Sequence, residues 1–279
     1  MLDYLGFQVD LDRCETVSAY DELPLWSAMA GLLLLENVPL GDGIRALDVG
    51  CGTGFPLLEL AERLGPASTV CGVDPWCAAL ERARLKARVR GVGNVAIVGG
   101  DAASLPFPDS GFDLIVSNLG INNFEEPETV LRECRRVARP ASRLALATNL
   151  VGHMREFYDV FEETLVGLGD AKALEALEAH VRHRATVEGL EALFDRAGFR
   201  LLRVVESRAS MRFASGGALL RHYFIKLGFL DGWKAVVAEE RRERVFARLE
   251  EELNRVAKLR GALDLTIPLA YLEAGPIQT

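Results

Sequence analysis

Four residues at alternate positions carry the clearest chemistry in this chain. Asp48, Gly50, Gly52 and Gly54 sit in the run LDVGCGTGFPLLELAERLG, residues 47–65. The three glycines have no Cβ, so the backbone can turn sharply and a ligand can lie against it. Leu47 and Val49 are apolar and lead into the turn as a strand. Pro56 falls in the first helical turn, where its missing N–H costs little. The helix that starts there offers free N–H groups to a carboxylate or phosphate. Strand, glycine turn and helix in this order predict a site for an anionic, adenosine-like ligand. Asp74 ends a second predicted strand, twenty positions after Gly54 (74 − 54). An acid there can accept both ribose hydroxyls of an adenosine. A third predicted strand, 95–101, also ends in an acid, Asp101.

Spacing separates the possible cofactors. A dinucleotide loop, G-x-G-x-x-G, needs glycine at position 55, which is Phe55 here. The run is instead D-x-G-x-G-x-G. It resembles motif I of the class I S-adenosylmethionine-dependent methyltransferases. The segment FDLIVSNLGINNF, 112–124, resembles the motif IV region of that family. The core is similar to the ubiquinone/menaquinone biosynthesis C-methyltransferases and related small-molecule enzymes. The resemblance implies S-adenosyl-L-methionine as cofactor and a small molecule as methyl acceptor. It implies that Asp101 receives the adenine amino group and that the Ala102 N–H meets the ring. It places Asp48, Gly50, Cys51, Gly52, Gly54, Asp74 and Pro75 around the cofactor, and Asn118 near its methionine amino group. Tyr20 and Trp26 are expected to fold over it from an N-terminal lid, and Trp76 to flank the adenine with Pro75.

The elements that must position these residues alternate. Strands are predicted at 44–49, 69–73, 95–101, 113–117 and 144–148, with helices at 56–64, 76–90 and 127–138 between them. Leu57, Leu60, Ala61 and Leu64 mark the buried face of the first of these helices. This alternation predicts a parallel sheet covered on both faces. The fold expected from the resemblance is a Rossmann-like, seven-stranded, mostly parallel, doubly wound α/β sheet. Its last strand is antiparallel, and it carries helical lid insertions. A helical lead-in is expected over 1–42, with one helix over 20–38. The cofactor-binding core covers 43–150 and a helical insert 151–185. Residues 186–279 complete the core with strands six and seven, around a helical insert at about 215–260. The chain has Pro140-Ala141-Ser142 where most of the family has a Gly-Gly turn, a departure confined to loop geometry.

Composition supports a sizeable core. The chain has 279 residues, 49% of them hydrophobic, and a formal net charge of −8. No basic block dominates a face, which argues against nucleic acid as a partner. No N-P-P-Y or D-P-P-Y motif follows strand four, which argues against the amino-methylating DNA and protein-glutamine branches. The start of the chain has no cationic, apolar leader, and GLLLLENVPL is too short to span a membrane. The expectation is a cytoplasmic protein without integral membrane association. The five cysteines form no C-x-x-C pair and no metal-ligand spacing is present. Cys51 and Cys71 read as small buried hydrophobes.

The chemistry implied is in-line transfer of a methyl group from a sulfonium. A base is needed only where the acceptor holds a proton that is hard to lose. His153, just past strand five, and Asn122, in the loop after strand four, are the candidate catalytic residues. Asn123 neighbours Asn122 in that loop. His222 and Tyr223, on a late apolar helix, read as packing. The apolar insert ALLRHYFIKLGF suits a hydrophobic acceptor. Two alternatives stay open: a protein that binds the cofactor without turnover, and a nicotinamide-dependent oxidoreductase, against which Phe55 speaks.

Overall fold

The computed structural model describes residues 2–182 and 184–278, apart from the side chains of residues 24–26, which include Trp26. In chain order the described elements are α1 (Cys14–Asp21), α2 (Pro24–Asn37), β1 (Arg45–Val49), α3 (Leu57–Leu64), β2 (Thr69–Asp74), α4 (Cys77–Arg90) and β3 (Val95–Gly99). Then follow β4 (Phe112–Asn118), α5 (Pro127–Val137), β5 (Ala138–Asn149), α6 (Arg155–Gly167), α7 (Ala171–Arg182), α8 (Val187–Arg196) and β6 (Phe199–Phe213). The chain ends with α9 (Gly216–Arg221), α10 (Tyr223–Gly228), α11 (Leu230–Val236), α12 (Glu239–Arg260) and β7 (Leu263–Pro276).

Two units share the chain. A sheet unit holds residues 10–149, 186–207 and 269–278; a helical unit holds 2–9, 150–185 and 208–268. The strand order is β3-β2-β1-β4-β5-β7-β6. β1 pairs in parallel with β2 and β4, β2 with β3, and β4 with β5. β7 runs antiparallel to β5. This is the seven-stranded, mostly parallel sheet expected, with the last strand of the chain, β7, antiparallel and set between β5 and the edge strand β6.

Apolar runs explain the sheet. Ala46 and Leu47 of β1, Val70 of β2 and Ile115 and Val116 of β4 are fully buried, as strands covered on both faces require. Helix α3 packs with Leu57, Leu58, Leu60, Ala61 and Leu64 inward. A Cβ on Gly72 of β2 would stand 2.5 Å from Leu57 Cδ2 and 2.8 Å from Cys51 Sγ, so the helix and its preceding loop press on β2. Asn94 closes the end of α3, its Nδ2 donating to the Ala61 and Gly65 carbonyls at 2.9 Å each. Helix α4 stops at Gly91, which takes the left-handed conformation at φ 69°.

Three expectations need correction. The single helix over 20–38 is two helices. Leu23 precedes Pro24, and proline disfavours helical geometry in the residue before it; Leu23 sits at φ −96°, ψ 66°. Strand five begins at Ala138 rather than 144, because Ala138 pairs with Phe112 and the register then shifts before Leu114 pairs with Arg143. The shift accommodates Pro140, which has no N–H for the ladder. His222 lies on no helix: it is extended, at ψ 131°, between α9 and α10.

The helical unit has its own core. Trp233 is fully buried, with the Phe157 ring stacked on it at 3.9 Å and its Nε1 donating to the Tyr158 hydroxyl at 3.1 Å. Glu156 ties the start of α6 to Thr266 of β7, accepting from its N–H at 2.8 Å and its hydroxyl at 2.5 Å. Gly216 lies against α12, where a Cβ would stand 2.5 Å from Leu253 Cβ. Among the described residues no helix is long and apolar enough to cross a membrane.

Candidate functional site

A cavity of about 740 Å³ opens in the sheet unit at the carboxyl ends of β1, β2 and β4. The glycine loop forms one wall. Gly50, Gly52 and Gly54 all have positive φ, at 81°, 49° and 95°. Residues with a Cβ rarely adopt that region, which explains three glycines at this spacing. Gly50 and Gly52 line the cavity with Cys51 between them. Gly54 does not; it is the point where the loop meets α4, 3.1 Å from Ala83 Cβ for a built Cβ.

Asp74 holds the loop in place. Its Oδ2 accepts the Gly52 N–H at 2.9 Å and its Oδ1 accepts the Trp76 N–H at 2.8 Å. Each carboxylate oxygen keeps a lone pair for a further donor. Asp101 is exposed at the end of the next strand, and its Oδ1 accepts the Ala103 N–H at 2.9 Å, capping a short turn that starts at Ala102. Tyr20, Pro75, Asp101, Ala102 and Asn118 also line the cavity. Tyr20 meets Trp76 edge to face at 5.2 Å. Burial, and then the Asp74 charge, hold the Tyr20 phenol above its ordinary value.

Asn118 is the most directed polar group. Its Nδ2 donates to the Ser27 carbonyl of α2 at 3.0 Å, while its Oδ1 is buried with no hydrogen-bond partner. An unpaired buried acceptor is costly, so a donor is called for here. The next residue, Leu119, holds a positive φ of 64°, anchored by its N–H to the Ala147 carbonyl at 2.7 Å and by its own carbonyl to Asn123 Nδ2 at 3.0 Å. Gly120 follows, and a Cβ there would collide with Ser117 Oγ and stand 2.7 Å from Phe124 Cζ.

Asp48 is elsewhere than expected. It is fully buried beneath the loop and does not line the cavity. The Leu57 N–H points toward it, but no hydrogen bond of normal geometry reaches either oxygen. Burial, and then the neighbouring Asp74 charge, push its carboxyl up to about 8. The α3 N-terminus does not present its first N–H groups to a ligand either. Leu57 is directed at Asp48, Leu58 donates to the Gly54 carbonyl at 3.1 Å, and both side chains are fully buried.

The two candidate catalytic residues are not in this cavity. Asn122 Nδ2 is used within the sheet unit, donating to Thr148 Oγ1 at 2.8 Å, the Asn149 carbonyl at 3.0 Å and Asn149 Oδ1 at 2.7 Å. His153 belongs to the helical unit. It is 2% exposed, stacks on Phe229 at 5.7 Å, and lines a separate cavity of about 420 Å³ with Tyr158 and Leu177. Burial, and then the Arg184 charge, push its imidazole down to about 2, so it stays neutral. Cys51, Cys71 and Cys134 are buried, their thiols pushed up by burial. Among the described residues no cluster can hold a metal ion.

Ser27, Thr53, Phe55, Glu125 and Glu126 also line the cavity, and no motif assigns them to it. Phe55 had a detectable signal. A Cβ on Gly31 of α2 would collide with its ring, so a glycine inside a leucine-rich helix marks that crossing.

Comparison with known proteins agrees with this geometry. Residues 40–193 match the methyltransferase domain family. The demethylmenaquinone methyltransferase of Anoxybacillus flavithermus is 32% identical over 197 residues, covering 67% of this chain and 81% of the relative. That of Geobacillus kaustophilus is 36% identical over 175 residues, covering 60% of this chain and 75% of the relative. The crystal structure of a SAM-dependent methyltransferase from Aquifex aeolicus superposes with a TM-score of 0.55 at 22% identity, over 71% of this chain and 93% of that one, a likeness of fold. The D-x-G-x-G-x-G loop and the match over more than half the chain lead to one family: this chain belongs to the methyltransferase domain family and is a class I S-adenosylmethionine-dependent methyltransferase of small molecules.

Proposed function

We propose that the enzyme methylates the ring of demethylmenaquinone, or of a closely similar apolar quinone, in its reduced form. The observation that carries this reading is the cavity at the strand ends, taken with relatives that are demethylmenaquinone methyltransferases over about two thirds of this chain. An oxidised quinone ring is electron-poor, whereas a quinol oxygen feeds electrons into the ring carbon that must attack an electrophilic methyl group. The reading takes the cytoplasm as the working compartment.

The residues present fit the cofactor. The positive-φ glycines leave a wall without side chains, and the orphaned Asn118 Oδ1 calls for a donor such as the methionine ammonium. Asp74 has lone pairs for the ribose hydroxyls, Asp101 for the adenine amino group, and the Ala102 N–H for the ring. When bound, the sulfonium supplies an already activated methyl group. The protein's part is to hold the acceptor in line behind that methyl and to keep water away. Asp48 lies beneath the loop, outside the cavity. Gly54 acts by seating the loop on α4.

Asn122 is replaced as a group facing the acceptor, and His153 as a candidate base, in this reading. The first is occupied in tying down the end of β5, and the second is buried and neutral. Glu125 and Glu126 are exposed carboxylates on the cavity wall and take that place. The test is incubation with methyl-labelled cofactor and a short-chain demethylmenaquinol. Label in the quinone product supports the reading. Label absent from that product, with cofactor binding intact, would sink the substrate assignment and leave the enzyme class standing.

A further inference from the structure

We propose that Asp21 is a positioning residue that straps the segment 11–21 onto the cofactor cavity and sets how fast the cofactor exchanges. The inference rests on the reading that this cavity holds the cofactor.

Asp21 is the last residue of α1, a poor place for a negative charge, because a helix C-terminus is the negative end of its dipole. Something else must hold it there. Its Oδ2 accepts from Arg82 Nε at 2.8 Å and its Oδ1 from Lys86 Nζ at 2.6 Å. Arg82 and Lys86 are four residues apart and lie on one face of α4. The Asp21 side chain is only 10% exposed and its two cations about a quarter. Thr53, inside the glycine loop, lies near the carboxylate and helps to hold it ionised. One side chain thus joins α1 to the helix that follows Asp74, beside the glycine loop.

The other end of the segment is fastened too. The Trp76 indole N–H donates to the Leu11 carbonyl at 3.0 Å, while the Trp76 backbone N–H bonds Asp74. Between these fastenings lies Tyr20, which lines the cavity against Trp76 and is 36% exposed. The segment has little else to hold it. Val17 is the buried residue of α1. A short helix with so small an apolar contact depends on its polar ties. Loosening Asp21 frees Tyr20 from the cavity wall without touching any residue assigned to the cofactor's ribose or adenine.

The experiment is stopped-flow displacement of S-adenosylhomocysteine from wild type, Asp21→Asn and Asp21→Glu, read by Trp fluorescence, with calorimetric affinities beside it. Asp21→Asn should release the ligand about tenfold faster and bind it about tenfold more weakly, 1.4 kcal/mol. The on-rate should change less, and Asp21→Glu should recover part of the loss. Raising salt should speed release from wild type and not from Asp21→Asn, since the broken ties are ionic. An unchanged release rate in Asp21→Asn, whether or not its melting temperature falls, would overturn the inference and make Asp21 a purely structural residue. If wild type fails to bind S-adenosylhomocysteine, the cavity assignment fails instead, and the two failures stay distinct.

Discussion

Asp48 gives the fold a pH dependence that can be isolated. Its carboxyl is pushed from 3.8 to about 8 in the folded chain, by burial first and by Asp74 second. Between these values the folded state holds one proton that the unfolded state has released. The slope of unfolding free energy with pH is then negative, about 1.4 kcal/mol per unit. The contribution is fully present at low pH and is lost as pH rises toward 8. Other groups leave a clean window. His153 and His222 are lowered by burial, so they affect stability only below their ordinary value of 6.5. The buried thiols of Cys51, Cys71 and Cys134 are raised by burial, and their unfolded forms ionise near pH 8.5. From pH 6.5 to 8 the Asp48 contribution therefore falls by about 2 kcal/mol (1.5 units at 1.4). Asp48→Asn keeps the shape and removes the titration. Urea unfolding of the cofactor-free protein at half-unit steps across that window should show wild type losing about 2 kcal/mol more than the variant. Parallel curves for the two proteins would refute the argument, because they would mean that Asp48 is ionised in the fold.

Asp74→Ala should weaken S-adenosylhomocysteine binding by about 1–3 kcal/mol in calorimetry, since it removes the proposed ribose acceptor and the support of the Gly52 and Trp76 N–H groups; unchanged affinity would remove the ribose assignment. Gly120→Ala drives a methyl group into Ser117 Oγ and toward Phe124, and should destabilise the protein by about 1–3 kcal/mol in denaturant titration. Gly31→Ala meets the Phe55 ring in the same way and should push it into the cavity, so cofactor affinity should fall with stability. His153 is held neutral by burial and by Arg184, so its contribution is present above pH 6.5 and lost as pH falls toward 2. His153→Gln should flatten the acid limb of the stability curve, and an unchanged limb would show that the imidazole is charged in the fold.

The order of strands was readable because the core strands are apolar runs, the first three ended by a glycine or an acid and β4 and β5 by Asn118 and Asn149, with helices between them. Where reading went astray, a pairwise contact intervened. Proline 24 divides a leucine-rich run that periodicity alone joins into one helix. Ala138 is drawn from a helix end into β5 by Phe112, 26 residues earlier, and no local pattern carries that pairing. The four pieces α9 to α12 replace one helical insert because Ser215 caps the first, by accepting the Ala218 N–H, and His222 is extended after it.

The site was readable in its outline and not in its depths. Spacing located Asp48 and Asp74 at the ends of adjacent strands, since Asp48 pairs across from Gly72. It treated both acids as ligand contacts, because a one-dimensional pattern contains no burial. The fold separates them: Asp74 turns its oxygens to backbone N–H groups at the cavity, while Asp48 turns inward under Leu57. Two carboxylates so close resist ionising together, and the buried one yields. Asp48 thereby keeps its proton, while Asp74 holds the Gly52 and Trp76 N–H groups. Ionising Asp48 would put an unpartnered buried charge beneath the glycine loop, so raising pH above 8 should weaken cofactor binding more in wild type than in Asp48→Asn. Calorimetric titration at pH 7 and 9 checks this, and an equal loss of affinity in both proteins would assign the effect to another group.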